Sequence, residues 1–89
     1  MKRSRTIPQQ RQAMHGDFAE ASHMTRLLRD GLTSNIGWNR LSSPHREALQ
    51  MIVFKMARIV CGDPDRVDHW DDLIGYSQLG RAACKGRRR

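Results

Sequence analysis

The sequence predicts an all-α fold, a compact three-helix domain with a central helical hairpin and disordered basic termini. Three observations predict it. Apolar residues recur at three- and four-residue steps from Ala21 to Leu32 and again from Ala48 to Val60, as they do on one face of a helix. Val, Ile and Thr nowhere alternate with polar residues in the period-2 pattern of a strand. Asp17, the Ser43-Pro44 pair and the Gly62-Asp63-Pro64 run supply helix starts and stops at the borders of the apolar runs.

Residues 1–14 are polar and basic, with Pro8 between Ile7 and two glutamines. They bury too little to offset ordering and read as a flexible arm. The first helix is expected to start at Asp17 as N-cap, with Glu20 completing a D-x-x-E capping box. Ala21, Met24, Leu27, Leu28 and Leu32 make its apolar stripe, and Gly31 fits its stop. His15 and His23 fall outside that stripe and read as surface residues. Residues 33–43 form a linker, in which Ile36, Trp38 and Leu41 are apolar enough to pin it over the helices.

Ser43 as N-cap and Pro44 at the first helical position open the second helix. It runs to Val60 and stops at Gly62. Its apolar positions cover half the helical wheel, and Met51 and Phe54 extend them onto the polar half. A helix this apolar is central to its domain or meets another chain, so Met51 and Phe54 are the candidate oligomer interface. The third helix is expected from Asp68 as N-cap, with Val67, Trp70, Leu73, Ile74 and Ser77 as its buried stripe. Gly75 in mid-helix costs about 1 kcal/mol relative to alanine, which suggests close approach of another backbone or a ligand there. Gly80 loosens or ends the helix, and residues 81–89 trail off as a basic tail. The domain proper is therefore residues 15–80.

The chain has 89 residues, enough for one small domain. A chain of this size buries only about 60–65% of the surface its unfolded form exposes, and oligomerisation is a common remedy. The 16 Lys and Arg against 9 Asp and Glu give a net charge of +7. The surplus sits at the ends, in Arg3 and Arg5 and in Arg81, Lys85, Arg87, Arg88 and Arg89. These are the candidate contacts to nucleic acid or an acidic partner. Cys61 and Cys84 form no C-x-x-C motif. No apolar leader follows the basic start and no run approaches the ~18 residues of a membrane span. The expected setting is the bacterial cytoplasm, with reduced thiols and no membrane contact.

One charged set spans the second and third helices. Lys55 and Arg58 lie three apart, Asp68 and Asp72 four apart, and Glu47 lies upstream. Two readings fit. In one, the set is an interhelical salt-bridge network that fixes register. In the other, Glu47, Asp68 and Asp72 are oxygen ligands for Mg²⁺ while Lys55 and Arg58 hold phosphate oxygens. The second suits nucleotide pyrophosphate hydrolysis on a helical scaffold, but the dense glutamate pairs of such enzymes are absent. No zinc pattern, nucleophile constellation or Gly-rich phosphate loop appears.

His15-Gly16-Asp17-Phe18, then EALQMIVFKMARIVCGDP from Glu47 to Pro64, then DHWDDLIGY from Asp68 to Tyr76 resemble a small domain family carried by tailed phages and prophages. The resemblance covers residues 15 to about 80. That family has no assigned reaction, so no catalytic residue carries over. It implies a phage accessory protein, and the matching positions include Glu47, Lys55, Arg58, Asp68, Asp72, Gly75 and Tyr76. The expected function is non-enzymatic: a homo-oligomeric, inhibitor-type anti-defence protein that binds a host protein, nucleoprotein or other phosphate-rich ligand, with no cofactor. The alternative is an Mg-dependent nucleotide-binding protein or pyrophosphohydrolase built on Lys55, Arg58, Asp68 and Asp72.

Overall fold

The computed structural model describes residues 17–85, and these are all-α. Helix α1 is Phe18–Thr33, a 3-10 turn covers Ile36–Arg40, α2 is Ser43–Val60 and α3 is Val67–Ala82. The expected arm, its Arg3 and Arg5, His15, and the terminal Arg87, Arg88 and Arg89 lie outside the described residues.

Asp17 caps α1 as the sequence predicts. Its Oδ1 accepts the Ala19 N–H at 2.8 Å and the Glu20 N–H at 3.2 Å, which satisfies two of the orphan donors of the first turn. The helix does not stop at Gly31 but two residues later. The Thr33 hydroxyl donates to the Arg29 carbonyl and the Ser34 hydroxyl to that of Gly31, both at 2.9 Å. Those side chains satisfy the last carbonyls without a left-handed glycine.

Asn35 starts the 3-10 turn, its Oδ1 accepting the Gly37 N–H at 2.7 Å. Trp38 and Leu41 are half-buried and hold the segment down, whereas Ile36 is 78% exposed and does not. Arg46 completes the attachment. Its guanidinium donates to the Trp38 carbonyl at 3.2 Å and the Asn39 carbonyl at 3.0 Å, binding the end of the turn to α2.

Helix α2 is capped by Ser42, one residue ahead of the expected Ser43, with Pro44 in its first turn. It is central: α1 and α3 both pack on it and make few contacts with each other. Ala48, Val53, Ala57 and Ile59 are its buried residues, and Ala21 is the buried residue of α1. The Arg58 guanidinium over the Phe18 ring, and Cys61 Sγ at 4.0 Å from Met24 Sδ, place the first two turns of α1 on the end of α2. The turn from Cys61 to Arg66 then reverses the chain. Lys55 meets Asp72, Ala48 faces Gly80, and Cys84 Sγ lies 3.7 Å from His45 Nε2. Numbers rise on one helix as they fall on the other, so α2 and α3 form the predicted antiparallel hairpin.

The buried face of α3 differs from the expected one. Val67, Trp70 and Ile74 are 64%, 49% and 58% exposed, while His69 is buried at 4%. Asp72, Leu73, Gly75, Tyr76 and Gly80 are the half-covered residues of α3 that accompany it. Apolar residues are spread almost evenly around α3, so periodicity gives no single inward direction. The ion pair to Lys55 and the small Gly80 set the rotation instead. A Cβ on Gly80 would lie 3.4 Å from the Cβ of Ala48, whereas one on Gly75 would meet nothing within 4 Å. The close approach expected at Gly75 therefore occurs at Gly80, and α3 continues past it to Ala82. The N-cap is Arg66 rather than Asp68 and gives no side-chain cap. The Trp70 indole N–H, donating to the Pro64 carbonyl at 2.7 Å, holds that ring at the outer side of the turn.

Candidate functional site

The charged set does not stay together: Lys55 and Asp72 form a structural pair, and Arg58 turns away onto aromatic rings. Lys55 Nζ lies 2.8 Å from Asp72 Oδ2, with the lysine side chain 16% and the carboxylate 46% exposed. This contact bridges α2 and α3 in the middle of the hairpin and fixes their register. The two ends of the pair are unequal. Asp72→Ala strands a mostly buried ammonium and is expected to cost about 1–3 kcal/mol. Lys55→Met leaves a carboxylate that water still reaches, and its cost is expected below about 1 kcal/mol. Urea denaturation of both variants checks this, and equal losses would contradict the asymmetry.

The other members of the set go elsewhere. Asp68 pairs weakly with Arg66 at 3.4 Å on the surface, and Glu47 is exposed. Among the described residues no three of His, Cys, Asp and Glu stand together in a group that could hold a metal ion. Glu47, Asp68 and Asp72 are thus not gathered into one ligand set.

Arg58 turns the opposite way, toward α1. Its guanidinium lies over two aromatic rings, 4.9 Å from the centroid of Phe54 and 5.4 Å from that of Phe18. Lys55 Nζ lies 5.6 Å from the Phe54 centroid. Such contacts contribute about 0.5–1 kcal/mol each at partly exposed sites and hold the cation without neutralising it. Phe54, expected at an oligomer interface with Met51, is half-buried, as is Met51.

Phe54 also forms one wall of a groove of about 530 Å³, completed by Ser22, Thr25, Arg26, Arg29, Asp30 and Thr33 of α1. Helical geometry explains the lining: positions 22, 25, 26, 29, 30 and 33 of α1 recur at three- and four-residue steps on one face. Thr25 is tied back, its hydroxyl donating to the Ala21 carbonyl at 2.7 Å. Among the described residues, no carboxylate closes an ion pair with Arg26, Arg29 or Arg58. Asp30 shares the wall, one carboxylate against the two guanidinium groups of Arg26 and Arg29. Sequence reading missed Arg26 and Arg29, because a pair of arginines on an amphipathic helix looks like any solvated face. The usable signal was their three-residue spacing opposite Phe54, which requires knowing how α1 crosses α2.

A family model described as a domain of unknown function, DUF6378, matches residues 1–84. The chain belongs to that family. No curated protein and no solved structure matches the chain.

Of the remaining predicted contacts in this DUF6378 domain, Arg81 and Lys85 are exposed at the end of α3. Both cysteines are free of disulfides. Burial, and then the neighbouring Glu20 carboxylate, push the Cys61 thiol above its ordinary value, so it remains a protonated, half-covered packing group. Cys84 is exposed, and its contact to His45 links the end of α3 to the start of α2. Among the described residues no helix is long and apolar enough to cross a membrane.

Proposed function

We propose that this DUF6378 domain is a non-catalytic binding module whose α1–α2 groove takes the phosphate backbone of a nucleic acid, free or within a host nucleoprotein. One observation carries the reading: Arg26 and Arg29 line a groove walled by Phe54, whose ring Arg58 also covers, and no described carboxylate pairs with the three arginines. Guanidinium groups are suited to phosphate oxygens by their planar donor fork. An aromatic face beside them accommodates a base or sugar without demanding a sequence. The net charge of +7 draws a polyanion in from a distance. The sequence resemblance implies a phage accessory role, and a host defence complex is a target that suits a small, basic binder. The nucleotide-hydrolase alternative loses support, because the carboxylates it needs are dispersed.

The test is fluorescence anisotropy of a short labelled oligonucleotide, single-stranded and duplex, titrated with the full chain over a range of salt concentrations. Binding is expected to weaken steeply with salt, with a log–log slope of about −0.7 to −0.9 per phosphate engaged. Absence of binding at low salt, or binding indifferent to salt, would overturn the proposal.

A further inference from the structure

The outer face of α3 carries Val67, Trp70, Ile74, Ser77 and Arg81 at alternating three- and four-residue steps. That is the spacing of a two-stranded helical seam. It is a different face from the one packed on α2, which carries His69, Asp72, Leu73, Tyr76 and Gly80. Val67, Trp70 and Ile74 are about half exposed or more. A shallow depression of about 370 Å³ runs along the seam, lined by Trp70, Leu73, Ile74, Ser77, Gln78 and Arg81.

Charge along this helix is polarised. Asp63, Asp65, Asp68 and Asp71 are exposed at its start, and Arg81 and Lys85 are exposed at its end. Two copies laid parallel would stack acid on acid and base on base. Laid antiparallel, each acidic start meets a basic end.

We propose that α3 pairs antiparallel with α3 of a second copy, about a two-fold axis at Ile74. The two Ile74 side chains then meet on the axis. Each Trp70 comes level with the partner copy's depression around residues 77 and 78. Arg81 arrives beside the opening turns that carry Asp68 and Asp71. A self-complementary surface of this kind is what a two-fold interface requires. It also covers Val67, Trp70 and Ile74, which the single chain leaves about half exposed or more. The inference does not depend on the nucleic-acid reading, since the groove lies on the α1 side of α2.

The experiment is sedimentation equilibrium with light scattering on the full chain. Wild type is expected at twice the 10.3 kDa chain mass. Ile74→Glu is expected to be monomeric with unchanged helical circular dichroism, because residue 74 faces solvent in the single chain. Asp71→Arg and Arg81→Asp should each weaken association by roughly three- to tenfold, as two symmetry-related exposed pairs would, and the two together should restore it. A monomer at every concentration, the result expected if an unrelated protein occupies this face, would overturn the proposal. So would a dimer indifferent to Ile74→Glu, or a double swap weaker than either single change.

Discussion

Ala57→Asp is expected to abolish cooperative folding. Ala57 has no accessible surface and lies in the helix on which both others pack. A carboxylate there has no water to solvate it. Its nearest cationic neighbour along the helix, Arg58, points away onto the rings of Phe54 and Phe18. Burying an unpaired ionised group costs several kcal/mol even after relaxation. A core this small supplies about 3–5 kcal/mol in all, so the cost matches the entire stability. Thermal melts followed by far-ultraviolet circular dichroism check it: wild type should unfold in one sigmoidal step and the variant in none. Met56→Asp is the control. Residue 56 is adjacent but 43% exposed, and its melt is expected within about 5 °C of wild type. Equal damage from both changes would mean that the inward face of α2 is wrongly placed.

Reversing the groove charge should be nearly as consequential for binding. Arg26→Glu with Arg29→Glu is expected to lower oligonucleotide affinity roughly 10–100-fold at low salt, through the loss of two phosphate contacts and the addition of two repulsions. The slope of log affinity against log salt should flatten by about 1.4–1.8, the share of two contacts. Both residues are exposed on α1 and in no described ion pair, so helical content and melting temperature should hold. Unchanged affinity with an unchanged slope would shift the binding to the terminal arginines, Arg3, Arg5 and Arg87 to Arg89, and remove the groove from the account.

Local chemistry made most of the fold legible. The capping of α1 by Asp17, the Ser-Pro opening of α2 and the Gly62–Pro64 reversal each depend on residues a few positions apart, so spacing alone locates them within a residue or two. The end of α1 escaped because Thr33 and Ser34 satisfy its last carbonyls as well as a glycine stop would. The candidate site was half legible. Lys55 opposite Asp72 follows from two helices joined by a short turn, since the turn fixes which positions meet. The dispersal of Glu47 and Asp68 does not follow, because helical spacing gives a face without saying what that face meets.

The sequence by itself determined the helices, their order and the antiparallel hairpin, because caps, turns and apolar periodicity act over a few residues. Only the tertiary structure decided which side of α3 is buried. Its apolar residues are distributed around the helix, so the choice fell to contacts distant in sequence: the Lys55–Asp72 ion pair and the approach of Gly80 to Ala48. Those two contacts turn Trp70 and Ile74 outward. The packing of α1 on α2 likewise brought Arg26 and Arg29 to Phe54, and Phe18 to Arg58, residues that no local pattern connects.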